Sequence, residues 1–142
     1  AVGHAGLGPF FKACHDALLP GGSAVIQVIT IPDRKYNAYR YSSDWIRKHI
    51  FPGGHLPSMG AMKTAVSQTS DLRLDDVQGY AADYATTLQR WRQTLLEKQQ
   101  EIKAMGFDDA FIRKWEYYFA YCHAGFRAEI IDLVQMVLNK PE

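Results

Sequence analysis

The run SAVIQVITI, residues 23–31, constrains the fold more than any other part of the chain. It is apolar almost throughout, rich in Val and Ile, and too short for a typical helix. Pro20-Gly21-Gly22 precedes it and Pro32-Asp33 ends it, so both ends carry breakers. Such a run reads as a strand buried on both faces of a parallel sheet. A strand of that kind needs a neighbour on each side.

The rest of the pattern supplies helices and two further strands. Leu7, Phe10, Phe11, Cys14 and Leu18 recur at helical spacing over residues 7–18. Residues 36–51 read as one helix with Tyr39, Trp45, Ile46 and Ile50 on its apolar side. FPGGHLPS, residues 51–58, is a loop, and Pro57-Ser58 starts a short helix to about Gln68. LRLDDVQGY, residues 72–80, alternates enough to predict a strand. A long helix is expected over residues 84–105, with the stripe Tyr84, Leu88, Trp91, Leu95, Ile102 and Met105. Gly106 closes it, and Asp108 caps a next helix striped by Phe111, Ile112, Trp115, Tyr118, Phe119 and Cys122. Gly125 is expected to end that helix, and residues 129–139 to form the last strand. The order is an α/β alternation. With only three strands in it, the sheet is expected to continue into strands upstream, and the missing initial methionine points the same way.

Composition removes several classes of function. The formal charge is +1 and the Lys and Arg residues are scattered, which leaves no footprint for nucleic acid. Aromatics crowd between Phe107 and Tyr118, but no basic groove accompanies them. Cys14 and Cys122 are far apart and fit neither a metal nor a redox spacing, so no metal site is expected. Reduced thiols, no signal peptide and no apolar run near the ~20 residues of a membrane span predict a cytoplasmic protein.

Three blocks, in order, carry a family resemblance. They are AVGH followed by FFKACHDALLPGG; then Ile29 to Asp33 with Ile50 to Ser58, where His49 stands in place of a frequent Tyr; then DYATTLQRW with GFDDAFIRKWEYYFAYCHAGFRA. Together they resemble the cyclopropane-fatty-acyl-phospholipid synthase and mycolic acid cyclopropane synthase family. The helix–Leu-Pro-Gly-Gly–strand junction from Leu19 to Ile31 is similar to the second half of a class I methyltransferase domain. The resemblance implies the fold: the C-terminal half of a Rossmann-like class I methyltransferase sheet with inserted helices, residues 1–142 forming one part of one domain. It implies the activity too: transfer of a methyl group from S-adenosylmethionine to a cis double bond of a lipid acyl chain. Proton loss from the resulting carbocation closes a cyclopropane ring, and relatives stop at methyl-branched or hydroxylated products.

In this family the Gly-rich turn for S-adenosylmethionine, the acidic ribose contact and an entrance cysteine lie upstream of the matched region. The resemblance implies that a glutamate which helps hold a bicarbonate general base is expected immediately before Ala1. Nothing in the chain matches G-x-G-x-x-G, so residues 1–142 alone are not expected to bind S-adenosylmethionine usefully.

The resemblance assigns Tyr84 to the bicarbonate. A phenol is a neutral donor that holds an anion and leaves it basic. Gln27 and Ile29 align with further bicarbonate contacts, Ile29 through its backbone. Many relatives have His where Gln27 stands, and an amide cannot titrate. Cys122 aligns with a cysteine proposed as catalytic, yet it sits near the C-terminal end of an apolar helix, where the dipole opposes a thiolate. Packing is the favoured role for Cys122; Tyr84 on its stripe has core packing as the competing role, and Gln27 and Ile29 could equally be strand interior. His123 lies off the stripe and is expected to be solvated. Trp115, Tyr118 and Phe119 read as core with a share in an acyl tunnel, because π faces favour a desolvated cation and exclude water. FPGGHLPS is expected at the tunnel mouth.

The expected partner is a phospholipid acyl chain met at a membrane surface by peripheral contact, without an evident amphipathic anchor. A homo-oligomer or a swapped neighbour could cover the open sheet edge. Two other readings stay open: a related methyltransferase acting on a small-molecule amine or another lipid, and a non-catalytic acyl-binding module.

Overall fold

The computed structural model describes residues 2–142; Ala1 lies outside the described residues. The chain divides into two compact units, Ala1–Tyr80 with Ile131–Glu142, and Ala81–Ile130.

The first unit holds α1 (Leu7–Ala17), β1 (Ser23–Thr30), α2 (Asp33–Arg40), α3 (Trp45–His49), α4 (Met59–Thr69), β2 (Arg73–Gly79) and β3 (Asp132–Asn139). The three strands form close to where the sequence places them, β3 starting at Asp132 and not at 129, but their pairing differs from the parallel arrangement expected. The order is β1-β3-β2 and both pairings are antiparallel. The last strand inserts between the first two. It is therefore β3 that takes the central place, with Leu133 and Val134 both buried and Met136 and Leu138 fully so. β1 has a single hydrogen-bonded neighbour among the described residues, and Val25 on its outer face is 67% exposed. Composition alone could not tell the two strands apart, since both are Val- and Ile- or Leu-rich.

One face of this sheet carries the core. Ile26, Met136 and Val77 stand in register, as do Ala24, Leu138 and Leu74. Against that face pack Leu7 and Phe11 of α1 and Met62, Ala65 and Val66 of α4. Alternation then puts Gln27, Gln135 and Gln78, also in register, on the opposite face.

The helix expected over residues 36–51 is two helices. α2 starts earlier, at Asp33, and α3 is a separate short turn. Ser42-Ser43-Asp44 interrupts them with capping chemistry: the Ser42 hydroxyl donates to the Tyr39 carbonyl at 2.9 Å, and the Asp44 carboxylate accepts from Arg47 N at 2.8 Å.

The second unit is α5 (Ala81–Glu97), α6 (Gln99–Ala104) and α7 (Asp109–Arg127). The long helix expected over residues 84–105 begins earlier and breaks at Lys98, whose ψ of 13° leaves the helical range. Gly106 ends α6 at φ +97°, where glycine is needed, and Asp108 caps α7 by accepting from Phe111 N at 2.8 Å. Both were legible. Gly125 does not end α7. The helix runs on to Arg127, and the left-handed residue that closes it is Glu129, φ +52°, with Ile130 N donating to the Gly125 carbonyl at 2.9 Å.

Candidate functional site

The second unit is built around a helix pair. α5 and α7 run antiparallel, since Ala85 meets His123 and Arg92 meets Glu116. The Arg92 guanidinium donates to Glu116 at 2.7 Å. His123 departs from expectation: it is half-buried, and its Nδ1–H donates to the Ala85 carbonyl at 2.9 Å, pinning α7 to α5. That bond leaves Nε2 as the acceptor nitrogen.

Between these helices lies a run of rings. Tyr84 meets Phe126 edge-on at 5.0 Å and Trp91 edge-on at 5.9 Å. Trp91 continues to Phe119, Phe119 to Trp115, and Trp115 to Phe111 and Tyr118. The expected stripe is thus continuous, though only part of it is core. Leu88, Tyr118, Cys122 and Phe126 are buried, Trp115 and Phe119 are half-buried, and Trp91 is 47% exposed.

Tyr84 and Tyr118 flank Cys122 electrostatically. Burial pushes the Tyr118 phenol far above its ordinary range, helped by Cys122, Tyr84 and a hydrogen bond to the Cys122 sulfur. Burial, with Cys122 second, also raises Tyr84. Both phenols are therefore neutral donors at physiological pH, as an anion-holding role for Tyr84 requires. Cys122 is buried in the last two turns of α7, a position that disfavours thiolate.

A pH dependence follows. In the unfolded chain a tyrosine ionises near its ordinary value of about 10, whereas these folded phenols keep their protons to higher pH. The folded state binds more protons above that pH, so their contribution is complete below about pH 10 and is lost as pH rises beyond it. Thermal melts followed by circular dichroism should show stability falling as pH rises above about 10, with Tyr118→Phe flattening the fall. An unchanged slope in the variant would contradict the assignment.

In the first unit, β1 sets Gln27 opposite Gln135, whose amide NH2 donates to the Gln27 carbonyl oxygen at 2.9 Å. This fixes the Gln27 amide with its NH2 as the donor left over. Ile29 pairs with Leu133 two residues on. A cavity of about 190 Å³ touches the β1 edge, lined mainly by apolar groups, among them Phe10, Phe11, Val28 and Met62, with Gln27 and His55. FPGGHLPS is anchored beside it: Ile31 N donates to the Pro57 carbonyl at 3.1 Å, and buried Ser58 caps α4 by accepting from Ala61 N at 3.2 Å. Gly53 takes φ +77° within this loop.

One polar cluster escaped the sequence reading. The Tyr36 hydroxyl lies 2.8 Å from His4 Nδ1 and 2.8 Å from His55 Nε2. Tyr36 is only 5% exposed. The three residues are far apart in sequence and follow no periodicity, so spacing could not join them; the quoted blocks AVGH and FPGGH held two of them without linking them.

The described residues contain no Gly-rich turn between a strand and the helix that follows it. β1 runs directly into Pro32-Asp33, the start of α2, with no Gly-rich turn between. They form no group of three or more His, Cys, Asp or Glu able to hold a metal, and no described helix is long and apolar enough to cross a membrane.

Comparison with known proteins places this architecture. A family model described as mycolic acid cyclopropane synthetase matches residues 1–136. Tuberculostearic acid methyltransferase UfaA1 of Mycobacterium tuberculosis is 39% identical over 138 residues, 97% of this chain and 32% of that protein. Cyclopropane-fatty-acyl-phospholipid synthase of Escherichia coli is 32% identical over 139 residues, 98% of this chain and 35% of that protein. The cyclopropane synthase MmaA2 from Mycobacterium tuberculosis superposes with a TM-score of 0.85 at 26% identity, covering 97% of this chain and 51% of that one. Mycolic acid cyclopropane synthase CmaA1, solved with SAH and CTAB, gives a TM-score of 0.86 at 26% identity, with 97% and 51% covered. The chain thus spans about a third of the length of these curated relatives and about half of the solved ones. Its fold is a half-domain of the class I S-adenosylmethionine-dependent methyltransferases. On the family match across residues 1–136, the chain belongs to the mycolic acid cyclopropane synthetase family.

Proposed function

We propose that this chain is the C-terminal part of a methyltransferase domain that acts on a cis double bond of a phospholipid acyl chain, with a cyclopropane ring as product. The supporting observation is the neutral Tyr84 phenol held among aromatic rings in a chain of this family. S-adenosylmethionine, bound by residues outside this chain, supplies the methyl group. Bicarbonate, when bound, supplies a base for the proton that the acyl chain must lose.

The roles of this chain's residues follow from their chemistry. Tyr84 donates a hydrogen bond to an anionic base without neutralising it. Its partners Trp91 and Phe126 hold the ring edge-on, so the hydroxyl is positioned rather than free to swing. Gln27 contributes its unspent NH2 as an anion donor and cannot itself take the proton. Ile29 acts through its backbone. Trp115, Tyr118 and Phe119 exclude water from the acyl chain and present π faces to developing positive charge, an interaction of about 2 kcal/mol when desolvated. Cys122 packs against Tyr118 and takes no covalent part. Contact with the membrane is peripheral, and the protein works from the cytoplasmic side.

A second reading has a specific basis. UfaA1, at 39% identity, is named a tuberculostearic acid methyltransferase and not a cyclopropane synthase, so a methyl-branched product is the alternative. The two outcomes separate by proton NMR of acyl chains modified by the full-length protein. A cyclopropane gives upfield ring-methylene signals; their absence, with a branch methyl or an exocyclic methylene in their place, assigns the second product.

A further inference from the structure

We propose that the cavity enclosed by α1, α2 and α4 binds the phosphate of a glycerophospholipid headgroup, with Arg40 and His4 as its principal contacts. The proposal rests on the lipid reading above and adds how the headgroup end of the substrate is recognised.

The cavity has a volume of about 400 Å³, within the range of ligand sites, about 300–1,000 Å³. Its polar lining is His4, Tyr36, Asn37, Arg40, Thr64 and Gln68. Every one of these can donate a hydrogen bond, and no carboxylate lines the space. A guanidinium among these donors, with no carboxylate beside it, suits an oxyanion better than a cation. α2 begins three residues beyond the carboxyl end of β1.

The surrounding segment is basic, and its acids are occupied. Residues 33–49 carry Arg34, Lys35, Arg40, Arg47 and Lys48 against Asp33 and Asp44. Asp33 accepts from Gly60 N at 2.9 Å, and Asp44 caps α3. Arg47 is committed to the carbonyls of Tyr39 and Ser42. Arg40, stacked over Tyr41 and donating from Nη2 to its hydroxyl, lines the cavity itself, and the rest of its guanidinium is the charged donor for a phosphate oxygen.

The His4–Tyr36–His55 chain completes the site. A phenol has one hydrogen, so it donates to one imidazole and accepts from the other. When His55 Nε2–H donates to Tyr36 and Tyr36 donates to His4 Nδ1, the remaining His4 nitrogen carries a hydrogen. His4 is then a donor, and an anion in the cavity selects this arrangement over the reverse. Burial holds His55 below its usual range, with Arg47, His4 and Arg40 adding to the effect, so His55 serves as a neutral partner. The groups facing the chain are Arg40, Arg47, Tyr39 and the two imidazoles; no carboxylate is among those that shift His55.

The test uses the full-length protein with Arg40→Gln, Arg40→Lys and His4→Gln. Substrates are dioleoyl-phosphatidylglycerol and monoolein, which lacks phosphate, in the same mixed micelles. Arg40→Gln should raise KM for the phospholipid about 10-fold with kcat kept, the loss of one charge-assisted contact. His4→Gln should act in the same direction, and Arg40→Lys should recover part of the loss. KM for monoolein should not move. Calorimetry with glycerol 3-phosphate should show binding that Arg40→Gln abolishes. Unchanged phospholipid KM, or equal losses on both substrates, overturns the proposal. So does binding of inorganic phosphate in this cavity while the phospholipid KM stays fixed, which would assign the site to a free anion. Glycerol 3-phosphate binding lost in Arg40→Gln, in a protein that modifies no acyl chain, keeps the site and rejects the acyl-chain reaction.

Discussion

Tyr84→Phe in the full-length protein lowers turnover about 100-fold, the smaller end of what a positioned acid–base group contributes. The substitution removes one hydroxyl and keeps the ring that meets Phe126 at 5.0 Å and Trp91 at 5.9 Å. Packing is therefore preserved and the melting temperature should change little. The loss should fall on kcat, with KM for the acyl substrate nearly constant, because the hydroxyl acts on the proton acceptor and not on the bound chain. Transfer of labelled methyl from S-adenosylmethionine to phospholipid acyl chains measures it. Cys122→Ala is the companion. Buried late in α7, the thiol should be dispensable for chemistry, with turnover within about threefold of the parent enzyme after correction for folding. A large loss in Cys122→Ala beside a small one in Tyr84→Phe would reverse the two assignments.

Phe126→Ala should cost about 3–5 kcal/mol of stability, the range for removing a large buried aromatic. Phe126 is 1% exposed and braces Tyr84 directly. The unit it belongs to is a small helical one, Ala81–Ile130, and a loss of that size is a large part of a domain's net stability. Urea titration of the full-length protein should show an early transition that the parent lacks, together with loss of the Tyr84-dependent activity. Lys114→Ala, on the exposed side of α7, should stay within about 0.5 kcal/mol. A Phe126→Ala variant as stable as Lys114→Ala would show that the α5–α7 pairing does not depend on this ring.

Local chemistry was the legible part of the fold. β1 was marked by its β-branched run between two breakers, the start of α7 by Asp108, and the end of α6 by Gly106. What a sequence pattern cannot carry is the partner. Nothing in SAVIQVITI says that its hydrogen-bonded neighbour is antiparallel, or that residues 132–139 come back to take the central place. The split between α2 and α3 was present as Ser42-Ser43-Asp44, but the apolar spacing of Tyr39, Trp45 and Ile46 outweighed it.

The site shows the same division. Tyr84, Tyr118 and Cys122 share a helix-pair interior because each lies on a 3.6-residue stripe. His123 lies off the stripe yet is half-buried, because a tightly paired helix also uses its flanks. Tyr36 was missed entirely. Its two histidines arrive from the segment before α1 and the loop after α3, and only the folded chain brings them to one hydroxyl.

The most direct test of the account is to incubate the full-length protein with S-adenosylmethionine carrying a labelled methyl group and with vesicles of unsaturated phospholipid, then to analyse the lipids by mass spectrometry. The account predicts one added CH2 per modified double bond, with all label in the acyl chains. Label confined to an amine, or lipid that is bound and recovered unmodified, would contradict it.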